Sequence, residues 1–467
     1  MRLTPRLTAV AVVVATAATT AATAGARPAI SYHQVPHGAQ VTQTPLDTNT
    51  CLATYGIHCY QPPQLIKAYD LAPLFAMGID GRGSTIVIVD SFGSPTIAHD
   101  LHVFDRTFGL PDPPSLRVFQ PAGRVPRFDP TDDDMVGWAQ ETTLDVEWSH
   151  VFAPGANIVL LETPVSETEG VTGFPEIVRA ENWAIDNRIG DVISMSFGAT
   201  EQTFPNAQAI LGLRSAFLNA NAHGVTLLSS SGDSGATDYE LNLSDLYPFR
   251  VTSWPTSDPL VTSVGGTMLT LDESGNRLAP DVVWNDGYGA GGGGLSTVFS
   301  RPDFQDGVRS VVGNQRGVPD ISLSAAVDGA VDYYYSFAPS ATIDGTCCWD
   351  IVAGTSESSP EFAGIVADAN QVAHHRLGNV NEQLYRLGAL AYQQGPFPGL
   401  RGGATGLVDV TSGDNSFGPF TNLDGNTYTV PGFPATRGYD LASGLGTLDA
   451  ARFVPALALA PGGGFDR

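Results

Sequence analysis

Residues 84–93 read STIVIVDSFG, and the reading of this stretch decides the fold. Ile86–Val89 is a continuous apolar run of strand length, closed by an acid, a serine and a glycine. Four more runs of the same kind follow: NIVLLET (157–163), DVISMSFG (191–198), VTLLSSSG (225–232) and VTSVGGT (261–267). Between them, FPEIVRAENWAIDN (174–187) and PNAQAILGLRSAFLNANAHG (205–224) carry apolar residues at helical spacing. Strands that are apolar on both faces and separated by helices form a parallel sheet with helices on both sides, an α/β doubly wound fold. Sites in such sheets form in the loops beyond the carboxyl ends of the strands. Both SSSGDSG (229–235) and GTS (354–356) fall in such loops.

The totals narrow the function. Residues 1–26 carry Arg2 and Arg6, then an Ala/Val-rich stretch ending in small residues at Ala24 and Ala26. That pattern is a secretory signal, too short for a membrane span, so a secreted, extracellular protein is expected. The formal charge is −25, and −27 once residues 1–26 and their two arginines are removed. So acidic a surface argues against nucleic-acid and membrane partners. The cysteines are Cys51, Cys59, Cys347 and Cys348. In an exported chain an even count indicates disulfides with three possible connectivities; Cys51–Cys59 is favoured, with Cys347–Cys348 a vicinal bridge or two thiols. No spacing fits a zinc site. Residues 27–60 read as an extended leader, 61–455 as the main domain and 456–467 as a disordered tail. The glycine run GAGGGG (289–294) is read as a strand admitting close approach of another backbone, with an ordinary flexible loop as the equal alternative.

VAGTSESSPEFAG (352–364) places Ser356 in a tight turn, with a helix expected from about Pro360. A serine there is a nucleophile poised for an oxyanion or a plain helix cap. A nucleophile needs a base and an oriented partner for that base. None of the nine histidines is suitably placed: His150 and His223 look like helix-end residues, and His374 and His375 lie at the far end of the Ser356 helix. Carboxylates offer another route. In AQETTLDVEWSHVFAPGA (139–156), Glu141 and Asp145 are four apart on a helical stretch and share a face. Sharing a proton would turn their repulsion into a hydrogen bond; a solvated helix face is the alternative. Asp233, in the SSSGDSG turn, when protonated can donate to an oxyanion; its plain alternative is a turn residue.

Taken in order, Glu-x-x-x-Asp, then Gly-Asp-Ser-Gly, then Gly-Thr-Ser-x-x-x-Pro, the chain resembles the sedolisin family of serine-carboxyl peptidases, kumamolisin-like and without the usual long pro-region. The resemblance covers roughly residues 60–455 and extends to CYQPPQLIKAYDL, APGANIVL, SWPTSDPLVTSVGGT, VVWNDGYGAGGGGLSTVFSRPDFQ and RGVPDISLSA. It implies a subtilisin-like fold with Ser356 as nucleophile, Glu141 as base, Asp145 beside the base and Asp233 in the oxyanion hole. It also implies one structural calcium ion, Ca2+, at Asp409, Val410, Thr436, Gly438 and Asp440. Oxygen-only ligation with two carboxylates suits that ion. The segment DNSFGPFTNLDGNTYTVPGFPA (414–435) between the two halves of this set is longer than the pattern expects. Asp90 and Phe197 stand where family members often have Glu and Trp. The activity implied is an acid-acting serine-type endopeptidase, a monomer with protein or peptide substrates; the rival is an inactive secreted binding protein on the same fold.

Overall fold

The computed structural model describes residues 33–34, 42–337, 348–392 and 402–461. Its centre is an eight-stranded sheet ordered Val282–Val283, Thr262–Met268, Thr226–Ser230, Val192–Met195, Thr85–Ser91, Asn157–Thr163, Leu116–Phe119, with Ile321–Ser324 also paired to Thr262–Met268. Every pairing is parallel except that of Val282–Val283. The register that matters most lies at the middle: Thr85–Ser91 pairs residue for residue with Asn157–Thr163, so Asp90 is opposite Glu162.

Alternation divides the strands between two cores. Ile86, Ile88, Ile158 and Leu160 point to one face, and Val87, Val89, Val159 and Leu161 to the other. The helices Phe174–Asp186 and Ser215–His223 cover the second face. The stretch read as one helix over 205–224 is two, Ala207–Leu213 and Ser215–His223, broken at Arg214, whose guanidinium grips Asp258 at 2.5 and 2.8 Å. The first face carries the helices Asp133–Phe152 and Thr355–Ala373, packed side by side. Gly364 permits that approach: a Cβ there would sit 2.5 Å from the Phe152 Cβ. Of the twenty residues in Asp133–Phe152, all but Asp133, Asp134 and Val136 are buried, which makes it an internal helix rather than an amphipathic surface one.

Three expectations are corrected. The leader is not extended over its last part: Thr48–Thr54 is a helix capped by Asp47, Cys51 and Cys59 form a disulfide, and Cys59–Tyr60 adds in parallel to the strand Ala330–Tyr334. The tail is ordered past 455, because the helix Ala450–Leu459 buries Leu457 and Ala458 against the first core. The Ser356 helix begins at Thr355, five residues before Pro360. Residues 1–26 and Cys347 lie outside the described residues. No helix among the described residues is long and apolar enough to cross a membrane.

Candidate active site

The strand Trp349–Ala353 ends at Gly354, whose φ of 135° lets the chain turn straight into the helix Thr355–Ala373. Ser356 is therefore the second residue of a long helix, at its positive end. Pro360 has a consequence here that a first-turn proline would not. It has no N–H to give the carbonyl four residues back, which is that of Ser356. The Ser196 hydroxyl reaches this carbonyl at 3.4 Å, and the Ser356 hydroxyl in turn donates to the Ser196 carbonyl at 3.4 Å. Ser196 comes from the loop after the strand Val192–Met195, so a central strand end clamps the nucleophile's turn.

Glu141 and Asp145 project from the middle of the internal helix toward Ser356, and both are completely buried. A solvated helix face is thereby excluded. Asp145 Oδ1 accepts from the Ser196 hydroxyl at 2.8 Å, so one serine touches both Asp145 and the Ser356 backbone. Glu141 has no well-aligned hydrogen bond, yet the Ser356 hydroxyl is near enough to favour its charged form. Such loose alignment is common before substrate binds. Burial pushes Glu141 well above the usual carboxyl range, with Asp90 and Asp233 adding repulsion. Burial does the same to Asp145, with Asp90 and then Glu141 adding to it. Asp90, buried between them at the end of its strand, is pushed up to about 7, by burial first and by Glu162 in addition. Each of these acids disfavours the charge of its neighbours. The base is thus not near the ordinary Glu value of about 4.3 that an exposed side chain would have.

Asp233 lies in the turn after Thr226–Ser230, and its carboxylate is tied to the start of the nucleophile helix. Oδ1 accepts from the Thr355 N–H at 2.9 Å and from the Thr355 hydroxyl at 2.8 Å. The Gly232 N–H donates to the same hydroxyl at 3.1 Å. Burial nevertheless holds Asp233 well above its ordinary value, with the Thr355 bonds opposing. A carboxyl kept neutral can donate a hydrogen bond. The glycine run fixes the turn by backbone contact: the Gly292 N–H donates to the Gly232 carbonyl at 2.7 Å, and the Ala290 N–H to the Asp233 carbonyl at 2.9 Å. A Cβ at Gly292 would overlap the Ser231 carbonyl, so only glycine fits there. Asn415, from the long 414–435 segment, holds the run from outside through the Gly291 and Gly293 carbonyls at 3.2 and 3.4 Å.

The sequence does not single out Ser196, Thr355 or Asn415. Ser and Asn are too common to signal a role, and the partners of Thr355 and Asn415 lie more than a hundred residues away. The hydrogen bonds that tie Ser356, Asp145 and Asp233 into the site run to Ser196 and Thr355, and none of these partners is a histidine. His150 is buried and shares its Nε2 with the Pro111 carbonyl at 2.8 Å.

Asp409 and Asp440 are brought together by the loop 436–440, remote in sequence from the serine site. The Gly438 N–H is 3.1 Å from both Asp409 oxygens, and Asp440 accepts from the Thr436, Ala442 and Ser443 N–H groups. Val410 is buried against Val283 and Ala442. Burial raises both acids. At Asp409 the charge of Asp440 adds to the rise, while the Gly438 bond and Arg437 oppose it. Two like charges on an oxygen-rich loop suit a divalent ion. Among the described residues no three His, Cys, Asp or Glu side chains group around a metal position, so such an ion would lean on carbonyls for the rest of its shell.

No protein-family model matches the chain. Individual relatives do. It is 29% identical over 407 residues to kumamolisin of Bacillus sp. (strain MN-32), covering 85% of this chain and 63% of that protein. It is 32% identical over 296 residues to sedolisin of Pseudomonas sp. (strain 101), covering 61% and 43%, and 31% identical over 327 residues to tripeptidyl-peptidase 1 of Canis lupus familiaris, covering 68% and 51%. The chain thus spans between 43% and 63% of the length of these relatives. Its fold matches a solved Pseudomonas sedolisin, a serine-carboxyl proteinase complexed with pseudo-iodotyrostatin, with a TM-score of 0.66 at 26% identity over 85% of this chain and 97% of that one. The chain shares with that class, the serine-carboxyl proteinases, a parallel α/β sheet, and it holds a serine among buried carboxyls. Within that class, the chain belongs to the sedolisin family.

Proposed function

We propose that the protein is a secreted endopeptidase that works in acid and cleaves peptide bonds through an acyl-enzyme on Ser356. The observation that carries this reading is the meeting of Ser356, Glu141, Asp145 and Asp233 at the start of one buried helix. Glu141 takes the Ser356 proton as the hydroxyl attacks a peptide carbonyl and returns it to the leaving amine. Asp145, steadied by Ser196, holds the second proton of the pair. Asp233, neutral, donates to the oxyanion alongside backbone N–H groups of the helix's first turn. Water then releases the acyl group from Ser356.

The pH range follows from the same burial. At least one proton must leave the coupled set for Glu141 to act, and Asp233 must keep its own. Burial keeps Asp233 neutral in acid, and activity is expected to fall as pH rises far enough to strip Asp90 and its neighbours, because a fully ionised cluster repels a developing oxyanion. A calcium ion is proposed to sit between Asp409 and Asp440, with the carbonyls of Val410, Thr436 and Gly438; bound there it would neutralise two acids and tie the loop down. Export rests on the composition of residues 1–26. The acidic surface argues against nucleic-acid and membrane partners; a monomer acting on protein or peptide substrates goes with the peptidase reading.

The test is hydrolysis of an unfolded protein from about pH 2 to 8, with Ser356→Ala beside the wild type. Cleavage confined to acid and lost in the variant supports the reading. A maximum at or above neutral pH, or no cleavage by folded protein at any pH, overturns it.

A further inference from the structure

Three of the carboxyls near Ser356 are sealed from solvent, yet they must gain and lose protons. Asp90, Glu141 and Asp145 are all completely buried. Asp90 has no well-aligned hydrogen-bond partner for either oxygen, although the Thr142 hydroxyl is close enough to favour its charge. Opposite Asp90 across the parallel pair Thr85–Ser91/Asn157–Thr163 stands Glu162. Both side chains share the sheet face that packs the internal helix, since each lies two residues beyond an inward-facing neighbour, Ile88 and Leu160.

Glu162 differs from the rest of the set in reaching outward. It is 8% exposed and lines a cavity of about 160 Å³ together with Phe92, Pro95, Val125, Phe128 and Met135. Two features hold it there. Gln120 Nε2 donates to Glu162 Oε2 at 2.7 Å. Gly93 supplies the space: a Cβ on it would overlap the Glu162 carboxyl, and its φ of 71° belongs to glycine's left-handed region. The groups facing the pair are Glu141, Asp145 and Thr142 from the internal helix, and Gln120 after the Leu116–Phe119 strand; Arg124 and Arg127 are exposed on the loop that rims the cavity.

We infer that Glu162 is the proton port of the site, a positioning residue that exchanges protons with solvent in this cavity and passes them through Asp90 to the Glu141/Asp145 pair. Each proton that Glu162 takes from solvent is matched by one that it yields to Asp90, so the set changes its proton count by one while Glu162 ends as it began. Its side chain touches no reacting atom. Its charge also biases Asp90 toward the protonated form by like-charge repulsion, which compensates for the short reach of an aspartate at this strand end. The inference rests on the peptidase reading above.

The experiment compares pH profiles of kcat and kcat/KM for wild type, Glu162→Gln, Glu162→Asp, Gln120→Leu and, as a control, Ser356→Ala. Removing the negative charge lets Asp90 ionise more easily, so in Glu162→Gln the alkaline limb is expected to move to lower pH by about one unit, with kcat falling and KM unchanged. Glu162→Asp restores most of the limb. Gln120→Leu removes a bond that favours the Glu162 anion, keeps the residue neutral to higher pH, and gives a smaller shift in the same direction. If wild type cleaves in acid and Ser356→Ala does not, but the Glu162→Gln limb overlays that of wild type, the port is wrong and the peptidase reading stands. If folded wild type does not cleave at all, both fall.

Discussion

Two pairs of acids in this molecule face the same electrostatic problem and meet it differently. Glu141 and Asp145 sit in the middle of an internal helix, without exposure, between two packed helices and a sheet. Asp409 and Asp440 sit on loops, the first half-buried, the second buried but ringed by backbone N–H donors. Deep burial disfavours charge on the first pair and raises both carboxyls above their ordinary range. The second pair has backbone N–H groups and a neighbouring arginine around it, which already offset part of its charge. On the proposed reading the first pair supplies a base and the second a cation tie. The difference lies in the surroundings, since the residue types are nearly the same.

The largest way to test the first half of that comparison is Ser356→Ala, for which a loss of about 10⁴- to 10⁶-fold in kcat is expected, with thermal unfolding little changed. Retained turnover would detach the serine from the carboxyls around it. Next comes Asp233→Ala. Loss of one oxyanion donor is expected to lower kcat about 10²- to 10³-fold, and Asp233→Asn, which can still donate, should fall less. Equal losses in the two variants would mean that Asp233 does not act as a donor.

Stability should also separate buried from ion-bound acids. A carboxyl whose folded pKa lies above its unfolded one contributes fully below the unfolded value and withdraws that contribution as pH rises through the folded value. Glu181, buried in the Phe174–Asp186 helix without a hydrogen-bond partner, is pushed by burial up to about 8. Between its ordinary value and neutral pH it costs up to about 3 kcal/mol. Glu181→Gln is therefore expected to raise Tm at pH 7 and leave it unchanged near pH 4, read by calorimetry across that range. The same sign applies to Asp90 and its neighbours, so the wild-type melt itself should fall as pH rises from about 4 to 7. The smallest effect is predicted for calcium. A chelator should lower Tm by a few degrees, equivalent to about 2–3 kcal/mol at ligand well above Kd, and Asp409→Asn should abolish that response. A melt indifferent to chelator in wild type would remove the cation from the second pair.

Much of this architecture is legible in the chain itself. Continuous apolar runs such as NIVLLET can only be buried on both faces, and that settles the doubly wound sheet; the close backbone approach of the glycine run is readable too, but 289–293 is loop and the strand begins only at Gly294. The spacing of Glu141 and Asp145 places both on one helix face by geometry alone. Tertiary structure decides what that face looks at. Only packing shows that the helix is internal, that burial raises its acids, and that Ser196 bridges Asp145 to the Ser356 turn. The serine helix starts earlier than its sequence suggests because proline usually marks a first turn, whereas here Gly354 and the Asp233–Thr355 bonds begin it at Thr355. Glu162 does not stand out because it closes a run that reads as plain strand, and its partner Asp90 is 72 residues away. Local sequence determines periods and turns, which depend on neighbours in the chain. Protonation, and with it chemistry, depends on burial and on charges brought close by the fold, and no short stretch contains those.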